Sequence, residues 1–211
     1  MSTVRGRFIA FEGGEGAGKS TQARLLAEEL KKRGLTVVVT REPGGTPGAE
    51  AIRALLLHPP GDTRWTAQAE ALLFAAARAD HVAHLIRPAL ARGEWVVCDR
   101  FVDSSRAYQG GAGGLGDDAV TALHAFGSNG LRPDRVILLE GDEAALAGRL
   151  ASRGEAADAI EGRSAEYHRA VAAAFRALAQ ADPQGFAQIE ALGTPEDVHT
   201  RILANLGDLL P

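Results

Sequence analysis

The sequence predicts an α/β fold, a parallel β-sheet with helices packed on both faces. Three observations point there. Short apolar runs of strand length alternate along the chain with longer helical stretches. The runs are continuously apolar, as in strands covered on both sides. A glycine-rich turn also separates the first such run from the first helix, and sheets of this kind bind ligands beyond the carboxyl ends of their strands. The chain has 211 residues, which fits one domain with small mobile inserts.

The elements follow in order. Arg7–Glu12 (RFIAFE) reads as a buried strand. Lys19–Arg33 reads as a helix stopped by Gly34, and Thr36–Thr40 (TVVVT) as a second strand. Gly48–Leu57 is a short helix ended by His58-Pro59-Pro60. Thr66–Arg92 is a long alanine-rich helical pattern with a bend expected near Pro88. Glu94–Asp99 and Arg135–Glu140 supply the third and fourth strands. Helices are expected at Glu143–Arg153 and Ser164–Asp182, a weak fifth strand at Phe186–Glu190, and a closing helix at Thr194–Leu210. Gly110–Gly116 and Gly154–Gly162 read as loops, each suited to a mobile flap.

Composition narrows the function. The net charge of −4 gives no general basic face for nucleic acid. Of the 23 basic residues only three are lysine (Lys19, Lys31 and Lys32). Arginine grips phosphate in a bidentate fork, so the bias suits a phosphate-handling site, although genome composition explains it equally well. One cysteine, Cys98, leaves no intrachain disulfide and no cysteine zinc cage. No stretch approaches 18 apolar residues and no apolar signal run opens the chain, so it reads as cytoplasmic, with no membrane partner.

The chemistry begins at Gly13-Gly14-Glu15-Gly16-Ala17-Gly18-Lys19-Ser20, followed by Thr21. This is the G-x-x-x-x-G-K-[ST] phosphate loop, set between a predicted strand and a predicted helix as the motif requires. Glycines let backbone N–H groups converge on an anion, and the helix N-terminus adds a positive partial charge. Lys19 reaches the β- and γ-phosphates of a nucleotide, and Ser20 is a Mg²⁺ ligand. A shuffled chain of this composition shows the pattern roughly three times in a thousand. Glu15 inside the loop must face Mg²⁺-bound water, a sugar hydroxyl or a basic side chain, or else open solvent. Two roles fit Glu12 equally: orienting loop donors, or capping the strand.

Four weaker signals follow. Thr40-Arg41-Glu42-Pro43-Gly44-Gly45-Thr46 closes the second strand, with Arg41 and Glu42 placed to pair across a turn. Phe74 and Arg78 share a helix face, an aromatic plane beside a guanidinium. In isolation they read as a core phenylalanine and a surface arginine. Asp99-Arg100 ends the third strand, where an aspartate can hold Mg²⁺ or its water while the arginine meets phosphates. Ser104-Ser105-Arg106-Ala107-Tyr108-Gln109 concentrates groups that read base edges and sugar hydroxyls, or simply starts a helix with a serine cap.

Taken together, FEGGEGAGKS, TREPGG, LLFAAARADH, VCDRF and SSRAYQGG resemble the bacterial thymidylate kinases from about Arg7 to Arg169. The resemblance implies a P-loop nucleoside monophosphate kinase fold with a five-stranded parallel sheet and a small lid near 149–163. It also implies a homodimer and transfer of a phosphoryl group from ATP to dTMP with Mg²⁺. It places Phe74 on the thymine ring, Arg78 and Ser105 at its polar edge, and Ser104, Tyr108 and Gln109 along base and sugar. Glu15 falls near the sugar 3′-hydroxyl, Arg53 and Arg100 at the dTMP phosphate with Arg41 close by, and Asp99 in the metal region. Relatives with glycine where this chain has Gly16 commonly draw a lid arginine from an Asp-Arg-x-Glu run. Here that run reads Asp158-Ala159-Ile160-Glu161, which leaves Arg153, Arg149 and Arg163 as candidates. The rival readings are a P-loop kinase for another nucleotide or nucleoside, and a regulatory ATP-binding switch. His81 and His84 lack a third ligand nearby and read as surface or packing residues.

Overall fold

The computed structural model describes residues 5–61, 64–142, 148, 159–160 and 162–210. Its strands are β1 (Phe8–Gly13), β2 (Val37–Arg41), β3 (Trp95–Asp99), β4 (Arg135–Glu140) and β5 (Phe186–Glu190). They form one sheet in the order β2-β3-β1-β4-β5, every pair parallel. The central strand β1 aligns Phe11 with Asp99 on one side and Ile137 on the other. The ends of β1, β2 and β3 therefore reach the same edge, where Glu12, Arg41 and Asp99 emerge together.

Side chains on β1 alternate between two covered faces, as the pleat demands. Ile9 and Phe11 pack with Leu26 and Leu30 of α1 (Lys19–Lys32) and with Val198 and Ile202 of α8 (Pro195–Ala204). Phe8 and Ala10 face the other layer, against Val82, Ile86 and Phe101. On that same side Val136 and Leu138 meet Val171 and Phe175 of α7 (Ala165–Ala181). β1 is buried throughout, which accounts for its unbroken apolar sequence up to Glu12.

Local chemistry sets the helix ends. α1 stops in a Schellman turn: Gly34 N–H donates to Lys31 O at 2.9 Å and Leu35 N–H to Leu30 O at 3.1 Å. Gly34, at φ 80°, supplies the left-handed residue. Thr46 caps α2 (Pro47–Leu57), accepting from Ala49 N–H at 3.3 Å, and Thr66 caps α3 (Ala67–His81), accepting from Ala69 N–H at 3.2 Å. The long helical pattern bends as expected, by a defined device. Val82–Ile86 is a π-helical turn in which Arg87 N–H reaches back to Val82 O, and α4 (Arg87–Ala91) then carries Pro88 in its first turn. The wider turn makes room for a proline ring that an unbroken α-helix would set against His84 O.

The structure corrects two expectations and adds a helix. Gly110–Gly116 is not simply a loop: α5 (Val102–Ser105) runs into a π-helical segment, Arg106–Ala112, that contains Gly110 and Gly111. A Cβ on Gly111 would lie 2.7 Å from the Ala174 Cβ, so the glycine marks close helix packing against α7. A further helix, α6 (Asp117–Ser128), follows in a stretch to which the sequence reading assigned no element. Arg41 and Glu42 do not pair with each other. Arg41 meets Glu50 at 3.2 Å, while Glu42 turns inward to Arg78 at 2.7 Å, because successive residues at a strand end point to opposite sides. The helix expected at Glu143–Arg153, most of the lid at 149–163, and Arg149 and Arg153 fall outside the described residues. Among the described residues no helix is long and apolar enough to cross a membrane.

Candidate active site

The cleft opens at the carboxyl edge of β1, β2 and β3 and has a volume of about 310 Å³. It gathers Glu15, Lys19 and Ser20 from the loop after β1, and Arg41, Glu42 and Pro43 from the end of β2. Arg53 and Leu57 come from α2, Phe74 from α3, and Asp99 and Arg100 from the end of β3. Ser104, Ser105, Tyr108 and Gln109 come from the helical run after β3, and Ile160 completes the lining. Twelve of the residues proposed from sequence thus share one cavity, although up to 94 positions separate Glu15 from Gln109.

The loop is built as its spacing requires. Gly13, at φ 134°, lies against β4, where a Cβ would sit 2.3 Å from Leu139 O. Gly18, at φ 87°, turns the chain into α1. Lys19 is 7% exposed, with Nζ donating to Gly13 O at 3.1 Å and Gly14 O at 2.7 Å. Burial, then the Arg100 charge, lowers its pKa from the ordinary lysine value. Ser20 donates its hydroxyl hydrogen to Asp99 Oδ2. This hydroxyl–carboxylate pair is a hard-oxygen set at the loop. Among the described residues no three His, Cys, Asp or Glu side chains gather as a metal cage. The donors therefore suit a cation that takes its remaining ligands from phosphate and water, as Mg²⁺ does.

Arg100 is the hub of the cleft. It is one of two non-glycine residues with positive φ, at 69°, among the described residues. That conformation costs energy for a side chain of this size and fixes where the arginine points. Its Nη2 donates to Glu15 Oε1 at 2.5 Å and to Tyr108 Oη at 3.2 Å, and its Nη1 to Gly13 O at 3.2 Å and Ser104 Oγ at 3.0 Å. Burial acts to raise the Glu15 pKa, but Arg100, Lys19 and the Tyr108 hydroxyl outweigh it and bring it to about 2. Burial likewise acts against the charge of Arg100, and Glu15 and its neighbours more than restore it.

Glu12 settles the open question about its role. It neither aims loop donors nor caps β1. It accepts from Phe101 N–H at 2.8 Å, Ser104 N–H at 3.0 Å and Ser104 Oγ at 2.6 Å, and so holds the entry to α5 in place of a serine cap. Burial, with Asp103 nearby, raises its pKa to about 7.

Behind the wall formed by Phe74 and Ser105 runs a buried polar chain. Arg78 is 3% exposed and does not line the cleft. Its Nε donates to Glu42 Oε2 at 2.7 Å and its Nη2 to Ser105 Oγ at 2.8 Å. The guanidinium that the resemblance places at the thymine edge thus backs Ser105, drawn there by the Glu42 carboxylate. His81 is fully buried, with Nδ1 on Glu42 Oε1 at 3.1 Å and Nε2 on Thr40 Oγ1 at 2.8 Å. It packs in the interior rather than on the surface. Arg53 donates to Pro43 O at 2.9 Å. Arg163 stands between α3 and α7: its Nη2 meets Glu70 Oε2, and its Nη1 donates to Tyr167 Oη at 2.5 Å. Sequence reading missed Glu42 and Glu70 as site residues, although Glu42 lies within the Thr40–Thr46 motif and Glu70 just before Leu72–His81.

Comparison with known proteins agrees with this architecture. The sequence profile of the family described as thymidylate kinase matches residues 11–202. The thymidylate kinase of Rhizorhabdus wittichii is 58% identical over 207 residues, covering 98% of this chain and 99% of that protein. The thymidylate kinase of Rhodopseudomonas palustris is 52% identical over 202 residues, covering 95% of this chain and 88% of that protein. The crystal structure of thymidylate kinase from Ehrlichia chaffeensis superposes with a TM-score of 0.76 at 30% identity, covering 96% of this chain and 99% of that one. Sheet order, phosphate loop and whole-length similarity therefore agree, and the chain belongs to the thymidylate kinase family.

Proposed function

We propose that this chain carries out the reaction of its family, phosphorylation of dTMP to dTDP, with ATP as donor and Mg²⁺ as the metal. The observation that carries the reading is one cleft in which the loop lysine faces a wall of Phe74, Arg100, Ser105, Tyr108 and Gln109. A triphosphate on Gly13–Thr21 leaves its γ-phosphate at Lys19. A nucleoside monophosphate whose ring lies on Phe74 presents its phosphate to Arg100 and Arg53, with Arg41 at the rim and Glu15 toward the sugar. Ser20 and Asp99 would hold Mg²⁺, directly or through water, and the ion supplies charge neutralisation on the phosphates.

The dTMP phosphate oxygen is already an anionic nucleophile at neutral pH, so no general base is required. Lys19 and Arg100 align donor and acceptor and stabilise the charge on the transferring group. Arg153 or Arg149 supplies a further cation in this reading, because Gly16 and Ala159 carry none. A coupled ADP-release assay with dTMP, dUMP, dCMP, AMP and GMP tests the assignment. dTMP is expected to exceed the purine monophosphates in kcat/KM by roughly 10²-fold or more, since a slot sized for one ring excludes a bicycle. AMP used as well as dTMP would overturn it.

The reading includes a cytoplasmic enzyme that works as a homodimer. Phe126 of α6 is 91% exposed, with Leu72 of α3 at 57% and Leu55 of α2 at 42%. α2 packs on α3 and α3 on α6, so these apolar side chains stand on one run of adjacent helices. A second copy of the chain would cover them. Phe126→Glu is expected to shift the mass in solution, measured by light scattering, from dimer to monomer. A wild-type chain that is monomeric at all concentrations would refute the dimer.

A further inference from the structure

We infer that Glu70 sets which pyrimidine the cleft accepts, by holding the Gln109 side-chain amide with its oxygen toward the base, and that Arg163 locks Glu70 in this role. The inference rests on the proposed reading of the cleft as a dTMP site and assigns its base discrimination to a residue that does not line it.

Glu70 lies in the first turn of α3 and is 8% exposed. One of its oxygens accepts from Gln109 Nε2 at 2.8 Å, and the other pairs with Arg163 Nη2. Gln109 is 3% exposed and lines the cleft from the π-helical segment after α5. The two ends of an amide differ only in what they can bond. A carboxylate in an ion pair with arginine accepts and does not donate, so the amide nitrogen must face Glu70. The amide is planar, and its oxygen therefore points the other way. That oxygen makes no hydrogen bond with any other described residue.

An acceptor fixed there selects among bases. Thymine and uracil carry N3–H, which donates to it. Cytosine presents an N3 lone pair at the same place and meets the oxygen as a repulsive neighbour. An amide free to turn would satisfy either base equally, so the discrimination belongs to whatever fixes the amide. Arg163 is itself held: its guanidinium lies 4.5 Å from the centre of the Tyr167 ring, and Tyr167 Oη donates to Tyr108 O at 2.8 Å. The clamp runs from α7 through Arg163 and Glu70 to Gln109, and Tyr108, the neighbour of Gln109, closes it.

The test is kcat/KM for dTMP and dCMP with the full-length chain and three variants. Glu70→Gln keeps the shape but adds a donor, which satisfies the amide in both orientations. The dTMP-to-dCMP ratio is expected to fall by at least about tenfold. Combining it with Gln109→Glu restores an acceptor-only group toward the base and should return the ratio to within about threefold of wild type. Arg163→Ala frees one Glu70 oxygen without altering α3. It should lower the ratio by at least about threefold, and it carries the test if Glu70→Gln does not fold. Variants that lose activity toward both substrates in equal proportion, with the ratio unchanged, would show a scaffold role only and overturn the inference. A wild-type enzyme that preferred dCMP would overturn the functional reading beneath it.

Discussion

Replacing Lys19 by methionine is expected to lower kcat by at least about 10²-fold while leaving the chain folded. Lys19 Nζ is the ammonium that the phosphate loop itself carries, within reach of Gly13 O and Gly14 O, with the Arg100 guanidinium also on Gly13 O. Methionine fills the same space without the charge, so the loop keeps its shape and loses its electrostatic grip on the β/γ-phosphate bridge. Burial disfavours the ammonium, so a neutral side chain of similar length is tolerated in its place. Steady-state kcat beside a thermal melt separates the two effects. A folded variant that turns over at the normal rate would reject the loop assignment.

Arg100→Ala is expected to damage both acceptor binding and stability. Loss of a charge-assisted phosphate contact in a partly desolvated site costs about 1.5–3 kcal/mol, roughly a 10- to 150-fold weakening of dTMP with little change for ATP. Equal weakening of both nucleotides would place Arg100 in the scaffold. The stability effect has a definite sign with pH. The Glu15 pKa in the folded chain is about 2, below its ordinary value of 4.5. The stabilisation from its pairing is therefore fully present above about pH 4.5 and is lost as pH falls toward 2. Removing Arg100 deletes most of it, so the gap between wild type and variant in denaturant titrations is widest above pH 4.5 and narrows in acid. With both side chains 15–18% exposed, the gap at neutral pH is about 3 kcal/mol or less.

The parts of the site that sequence made legible are those written in short spacings. Gly13–Ser20 is contiguous, and a strand on one side and a helix on the other fix its geometry. Asp99-Arg100 was readable because a buried apolar run delivers whatever follows it to the sheet edge. Glu12 was undecided because its partners, Phe101 and Ser104, lie 89 and 92 positions away. The Glu42–Arg78–His81 chain was hidden for the same reason: its contacts span 36 and 39 residues and form only when α3 packs beside β2. His81, paired with His84, read as a surface or packing residue because histidines on a helix carry no sign of a buried carboxylate opposite them. The helix at Asp117–Ser128 was not assigned from sequence, and its burial departs from residue type: Phe126 is exposed while His124 and Ser128 are buried.

The placement of the three lysines has a practical consequence. Lys19 opens α1 beneath the phosphate loop, whereas Lys31 and Lys32 close the same helix and stand exposed. The helix rise separates the two ends by about 20 Å. Amine-directed labels and surface-coupling reagents therefore find their accessible lysine targets at the far end of α1, away from the cleft. A chain tethered through them presents its nucleotide cleft to the solution in one prevailing orientation, which suits sensor surfaces and single-molecule attachment without an added tag.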